Sequence, residues 1–312
     1  MELQPPEISV VTPVCNEESV IKEFYYQVTG VLKKCSVNYE IVFIDDGSED
    51  RTFEILKECR QIAQGRVRIV RLSRNFGHQL AITAGERHAK GRAVVVMDGD
   101  LQDPPEMIQR FIEKWREGFD IVYGVRSDRQ GETLFKRWTA SFFYWLMEKV
   151  AEVDIPSNVG DFYLLDRKVV NVLNSMDERH RFIRGLVAWM GFRRAGLPYV
   201  RRPRFGGYTK YDLFKMIKFS FDALTSFSFV PLRFISMLGA LISLLAFTGI
   251  MMVFIIKVFN PHVVLGWSSI MVVVLFMGGI QLLAIGVIGE YLARIGDDVK
   301  KRPLYIVQET LE

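Results

Sequence analysis

Between Phe234 and Ile256 the chain runs 23 residues without a Lys, Arg, Asp or Glu, and between Val258 and Gly289 it runs 32 more. A helix crossing the hydrocarbon of a bilayer needs about 20 predominantly apolar residues, so each run is long enough. Only Asn260, Pro261 and His262 break the second run, and the connection from Lys257 to roughly Trp267 is too short for a domain. A buried core helix is a poor account of two such runs back to back. The pattern predicts a helical hairpin, with spans at about 234–256 and 266–289.

Charge around the hairpin predicts its orientation. Arg201, Arg202, Arg204, Lys210, Lys215, Lys218 and Arg233 precede it, Arg294, Lys300, Lys301 and Arg302 follow it, and only Lys257 lies between. Cations concentrate on cytoplasmic flanks, which places both termini and the preceding domain in the cytoplasm. The formal net charge of +4 is not spread evenly. Residues 1–198 carry 28 Lys and Arg against 29 Asp and Glu, residues 199–233 carry 7 against 2, and residues 234–312 carry 5 against 5. The excess is a collar before the first span. It suits an anionic membrane surface and not nucleic acid. The opening MELQPPEISV has no apolar core of secretory-leader length. Cys15, Cys35 and Cys59 have neither metal-site nor redox spacing, and are read as reduced packing residues.

The first 125 residues alternate strand and helix signals. Ile8–Pro13, Tyr39–Asp45, Val67–Leu72 and Ala93–Met97 are short runs rich in β-branched residues, of the kind found in a parallel sheet covered on both faces. Glu18–Lys33, Arg51–Gln64 and Gln79–Lys90 between them have helical length and apolar spacing. The alternation predicts a doubly wound α/β domain with its ligands at the carboxyl ends of the strands. Segments 132–150 and 208–229 read as amphipathic helices, the second an interfacial one.

Polar clusters follow each strand: Thr12 to Glu18, Asp45 to Asp50, Arg74 to His78, and Asp98 to Glu106. Each alone is an ordinary cap or turn; four at one sheet edge are a site. In Asp98-Gly99-Asp100, alternate residues of an extended segment point the same way, so Asp98, Asp100 and Gln102 are expected to converge on one cation. Hard oxygen ligands suit Mg²⁺ or Mn²⁺. Neither GxxxxGK[ST] nor GxGxxG occurs, which weakens kinase, ATPase and dehydrogenase readings. His78 is an acid/base candidate by its place in a motif, but a histidine in a loop after a strand is more often a hydrogen-bonding or packing residue, and it is read as one of these.

The motifs TPVCNEE, FIDDGSEDRT, RNFGHQ, MDGDLQDPPE, GVRSDR, FKRWTASFFY, NVGDFYLLDR and YVRRPRFGGYTKY, followed by the two apolar runs, resemble the polyprenyl-phosphate glycosyltransferases of glycosyltransferase family 2. The bacterial bactoprenol glucosyltransferases are the nearest likeness, with the dolichyl-phosphate mannose synthases alongside. The resemblance implies a GT-A (Rossmann-like, mostly parallel) catalytic domain over 1–200. It further implies a basic juxtamembrane segment over 201–232, two transmembrane helices within 233–293, and a cytoplasmic tail over 294–312. The implied reaction is inverting transfer of a hexose, glucose from UDP-glucose first, to undecaprenyl phosphate at the bacterial inner membrane. Pro13, Asn16 and Glu17 with Asp45, Asp46 and Asp98 would bind the nucleotide sugar. Asp98, Asp100 and Gln102 would hold the metal. Arg126, Arg137, Ser141, Arg201, Arg204 and Lys210 would grip the acceptor phosphate. Asp161, together with Asp100, would be catalytic, Asp161 acting as base or as an orienting carboxylate. A homo-oligomer is also implied, with Pro303–Val307 a candidate crossover to a neighbouring protomer.

Tyr163 stands where the glucosyltransferases lead one to expect Arg, and Tyr208-Thr209-Lys210 where a small or acidic residue and Ser-Lys are usual. Three other readings compete. The first is a different sugar on the same lipid. The second is a processive polysaccharide synthase, against which Leu134 occupies the Gln position of Gln-x-x-Arg-Trp. The third is a non-catalytic scaffold or flippase.

Overall fold

Strands β1 (Ile8–Val14), β2 (Tyr39–Asp45) and β4 (Ala93–Val96) are buried at every position, the signature of parallel strands with helices on both sides. The computed structural model describes residues 5–63, 65–127, 158–179, 181–203, 230–259 and 266–312. The amphipathic segments expected over 132–150 and 208–229 lie outside these residues, as do Arg137, Ser141, Arg204 and Lys210.

Eight strands form one sheet in the order β7-β5-β6-β4-β1-β2-β3-β8. β1 pairs in parallel with β2 and β4, and β2 with β3 (Val67–Leu72). The 3-2-1-4 order puts a switch point between β1 and β4, where ligands of doubly wound sheets bind. Beyond it the pattern changes. β6 (Val159–Asp166) runs antiparallel to both β4 and β5 (Ile121–Arg126), and β7 (Arg194–Tyr199) runs parallel to β5. Because β6 is reversed, its first residues reach the carboxyl edge of β4. Val96 faces Tyr163 at the end of β4, and just beyond it His78 Nε2 approaches both Asp98 Oδ1 at 3.5 Å and Asp161 Oδ2 at 3.1 Å.

Side chains alternate to two cores. Val10, Ile41 and Phe43 pack under α1 (Ile21–Lys34), α2 (Thr52–Ile62) and α4 (Met107–Arg116) through Phe24, Leu32, Phe53, Leu56 and Phe111. Val11, Val42 and Ile44 face α3 (His78–His88), α5 (Arg167–Ser175) and α6 (Ile183–Trp189) through Ala81, Ile82, Val169, Leu173 and Leu186. The strand alternation up to β4 matches the sequence expectation, whereas the antiparallel insertion of β6 does not follow from local pattern.

Helix α7 (Val230–Phe259) outruns its expected span at both ends and α8 (Trp267–Val299) at its C-terminal end, and both expose apolar side chains such as Met237, Phe247, Leu282 and Leu292. Among the described residues one stretch, Phe276–Val299, is long and apolar enough to cross a membrane. Ile235–Gly249 in α7 is a shorter apolar stretch. Of the two expected spans, the second is thus matched by a stretch of qualifying length and the first by a shorter apolar one. The tail has a pairing that its sequence does not announce. The chain returns to its own sheet, where β8 (Val307–Leu311) pairs antiparallel with β3, and Ser73 N–H donates to the Ile306 carbonyl at 2.9 Å.

Helix α3, which starts at the sheet edge, lies close on β1. A Cβ on Gly85 would stand 2.1 Å from Val11 Cγ1 and 3.2 Å from Ile44 Cγ1. Gly85→Ala is expected to cost about 1–3 kcal/mol by overpacking. The check is thermal unfolding of the detergent-solubilised chain, which should begin several degrees below that of the wild type. An unchanged midpoint would mean that α3 can move off the strand without penalty.

Candidate active site

The loops after β1, β2 and β3 are stitched together by backbone N–H groups. Asn16 takes a left-handed φ of 54°. Its N–H donates to Ser48 Oγ at 3.0 Å, and its Oδ1 accepts from Glu49 N–H at 2.9 Å. Glu17 N–H donates to Thr52 Oγ1 at 2.9 Å, and Pro13 is buried within β1. Asp45 is fully buried, accepting from Ser48 N–H at 3.0 Å and facing Arg71 Nε at 3.3 Å. Asp46, 3% exposed, accepts from Phe76 N–H at 2.7 Å and Gly77 N–H at 2.9 Å. Burial pushes both carboxyls above their usual range, with these hydrogen bonds opposing. Both side chains fasten these loops from inside the protein, while Asp45 Oδ2 has no hydrogen-bond partner among the described residues. Gly47 permits this closure. Its φ is +68°, and a Cβ there would lie 2.6 Å from Arg74 C and Asn75 N.

By anchoring Gly77, Asp46 sets the start of α3 and thereby His78 and Gln79. Both reach Asp161, which is only 4% exposed. Asp161 Oδ2 accepts from Gln79 Nε2 at 3.1 Å and lies 3.1 Å from His78 Nε2. Arg184, in the first turn of α6, completes the cluster with a two-pronged contact: Nε to Oδ1 at 2.7 Å and Nη2 to Oδ2 at 2.9 Å. Burial alone would raise the Asp161 pKa, but Arg184 and then His78 outweigh it and hold the carboxyl far below its usual range. His78 is affected in the opposite sense. Burial disfavours the imidazolium, yet Asp98 and Asp161 raise its pKa to about 9.

Asp98 and Asp100 follow β4, but not as an extended pair. Residues 99–100 form a turn, and Leu101 has a φ of 58°. The extended-strand argument for their convergence is therefore corrected. A turn brings the groups together, and Gln102 enters through its backbone, whose N–H donates to Asp100 Oδ1 at 3.1 Å. Burial pushes Asp98 up to about 6; His78 opposes this, and Asp103, Asp161 and Asp100 reinforce it. Asp98 Oδ1 is buried without a hydrogen-bond partner and sits 3.5 Å from His78 Nε2. An orphaned carboxylate oxygen within a crowd of carboxylates fits a divalent cation. Among the described residues no three His, Cys, Asp or Glu side chains form a complete ligand set. One or two carboxylates supplemented by substrate phosphates is the usual manner of Mg²⁺ binding.

A cationic group flanks the acidic one. Arg126, at the end of β5, donates from Nε to Tyr199 Oη at 3.3 Å, and its guanidinium fills the space beside Gly160, where a Cβ would lie 2.4 Å from Nη2. Arg201 Nε is 3.8 Å from Asp103 Oδ1. The structure thus brings Asp98, Asp100, Asp161, Arg126 and Arg201 to one sheet edge. Sequence reasoning missed Arg184, Gln79, Asp103 and Tyr199. Gln79 and Asp103 lay inside RNFGHQ and MDGDLQDPPE without an assigned role, and Tyr199 stood unassigned in YVRRPRFGGYTKY. Arg184 carried no local signal.

The sequence profile of glycosyl transferase family 2 matches residues 9–173, just over half of the chain. An uncharacterized glycosyltransferase of Bacillus subtilis (strain 168), YkcC, is 49% identical over 302 residues, covering 97% of this chain and 93% of the relative. A prophage bactoprenol glucosyl transferase homolog of Escherichia coli (strain K12) is 41% identical over 302 residues, covering 96% and 98%. The bactoprenol glucosyl transferase of Shigella phage SfII is 41% identical over 305 residues, covering 97% and 98%. The α/β domain, with its mostly parallel sheet, has the GT-A fold of these enzymes. The chain belongs to glycosyl transferase family 2.

Proposed function

We propose that the chain transfers glucose from UDP-glucose to the phosphate of a polyprenyl phosphate, undecaprenyl phosphate in a bacterium, at the cytoplasmic face of the inner membrane. The observation that carries this reading is the meeting of an acidic pair and an arginine pair at one sheet edge. Asp98 and Asp100 suit a cation and a nucleoside diphosphate; Arg126 and Arg201 suit a second phosphate. Donor and acceptor phosphates repel one another, and both charge sets are needed to bring them together. The names of the 41% identical relatives supply the sugar and the lipid. The apolar helices α7 and α8 support a hairpin in the bilayer, and the basic collar supports its orientation.

Asp98 and Asp100 would hold Mg²⁺ or Mn²⁺, which when bound neutralises the diphosphate as it leaves. The protein's own part is mainly positioning. Asp45 and Asp46 fasten the loops that form the nucleotide side, with Pro13, Asn16 and Glu17 along its rim. Arg126 and Arg201 receive the acceptor phosphate, and Arg137, Ser141, Arg204 and Lys210 are assigned to the same grip from outside the described residues. A phosphate monoester has its second pKa near ~6, so the nucleophile is already ionised at neutral pH. Asp161 is correspondingly a poor base, since Arg184 occupies both its oxygens and holds its proton affinity low. It serves as an orienting carboxylate that fixes His78 and Gln79 against the sugar side. One displacement at the anomeric carbon inverts it.

The test is incubation of the full chain with radiolabelled UDP-glucose and undecaprenyl phosphate. Label should enter the lipid as a β-linked glucosyl phosphate by NMR; EDTA and Asp100→Ala should each abolish the transfer. Incorporation from another nucleotide sugar alone would reassign the donor, and a retained α-configuration would refute single displacement. For Asp161→Asn we expect kcat to fall about 10-fold at pH 7–8 with the shape of the pH profile preserved. A loss in the 10²–10⁴-fold range that removal of a general base brings would restore the base role.

A further inference from the structure

The segment leaving β7 crosses from the arginine side of the site to the acidic side, and it is bonded to both. At its start, Ser127 N–H and Oγ donate to the Tyr199 carbonyl at 2.9 and 2.8 Å, fixing Tyr199 beside the end of β5. The Tyr199 hydroxyl accepts from Arg126 Nε at 3.3 Å and donates to Asp103 Oδ1 at 2.6 Å. Two residues on, Arg201 Nε approaches the same Asp103 oxygen at 3.8 Å. Arg202 N–H then donates to the Gln102 carbonyl at 2.9 Å, and Gln102 N–H in turn donates to Asp100 Oδ1 at 3.1 Å. Two short chains of contacts therefore join the turn that carries Asp98 and Asp100 to the arginines assigned to the acceptor.

Asp103 is 1% exposed, and its Oδ2 has no hydrogen-bond partner among the described residues. A buried carboxylate with an unsatisfied oxygen is costly as a packing element alone, and it earns its place by the cations it orients. Tyr199 is well suited to the link, because a phenol has few rotamers and its ring is held edge-on to Phe162 at 5.6 Å between centroids. Burial and Asp103 push its hydroxyl well above the ordinary phenol range, so it remains a donor.

We infer that Asp103 and Tyr199 are positioning residues: they aim Arg126 and Arg201 at the acceptor phosphate and hold that grip in register with the Asp98–Asp100 turn. This rests on the acceptor reading above, since the arginines must bind a prenyl phosphate for their aim to matter. Neither residue touches substrate; each acts through an arginine.

Binding of farnesyl phosphate, a short soluble prenyl phosphate, to the full chain in detergent measures this without turnover. Tyr199→Phe removes one hydroxyl and is expected to weaken binding about 10-fold, the scale of a lost hydrogen bond to a charged group. It should leave the affinity for UDP with Mn²⁺ within twofold of wild type. Asp103→Asn keeps an acceptor for the Tyr199 hydroxyl but loses the charge facing Arg201, and should weaken farnesyl phosphate binding by at least threefold. In an Arg126→Ala background Tyr199→Phe should add nothing, because a residue that works through Arg126 has no effect once Arg126 is gone. Additive losses, or a folded Tyr199→Phe with wild-type affinity, overturn the inference while leaving the acceptor reading intact. A wild-type chain that binds UDP with Mn²⁺ but not farnesyl phosphate overturns both.

Discussion

Four carboxylates meet at one edge of the sheet, and the architecture around that edge follows from the need to keep them ionised together. Like charges crowd there, and burial further penalises those of Asp98, Asp103 and Asp161. Each is offset differently. Asp161 takes a guanidinium from Arg184, an imidazolium from His78 and an amide from Gln79. Asp103 has Tyr199 and the nearby Arg201. Asp100 accepts the Gln102 N–H. Asp98 is left with an orphaned oxygen and the most unfavourable surroundings of the turn pair, which is the electrostatic reason a divalent cation belongs beside it. Holding these charges close to one another requires rigid supports. The antiparallel β6 supplies one, α3 another, and the exit of β7 a third.

Much of this was legible in the residues. The first four strands and the intervening helices followed from short β-branched runs alternating with longer amphipathic ones, because a strand buried on both faces leaves no room for polar alternation. The location of the site followed too, since polar clusters after each strand must gather at one edge of a parallel sheet. Local pattern carried less information once the sheet stopped being parallel. Nothing in NVGDFYLLD states that the strand enters reversed between β4 and β5, yet that reversal brings Asp161 to the edge where His78 also approaches Asp98. Nor does a five-residue VQETL tail state that it will cap β3. Both depend on pairings between residues far apart in the chain.

The misreadings within the site have a common origin. Asp98 and Asp100 were placed together by assuming an extended segment, whereas the chain turns at 99–100 and passes through a left-handed Leu101. Asp45 and Asp46, which the resemblance assigns to the nucleotide sugar, also fasten their loops by accepting from backbone donors. Arg184 was missed because an arginine in the first turn of a short helix looks like surface charge until its partner is known. Sequence motifs identify which residues a site needs. Separating those that touch the ligand from those that hold the others in place takes burial and hydrogen bonding.

The apolar part of the chain is tied to this edge more closely than a linker would allow. At the end of α8, Asp298 accepts the Arg179 N–H at 3.2 Å, and the Arg302 carbonyl accepts Arg179 Nη1 at 2.8 Å. Arg179 lies in the connection that leads into α6, whose first residues deliver Arg184 to Asp161, and the Ile183 N–H donates to Gln79 Oε1 at 3.1 Å. Exposed contacts such as those at Arg179 contribute little stability individually. Their consequence is geometric, and β8 reinforces it by returning the chain to β3 only a few residues later. A helix long enough to cross a bilayer thus ends against the connection that positions the buried guanidinium of the site.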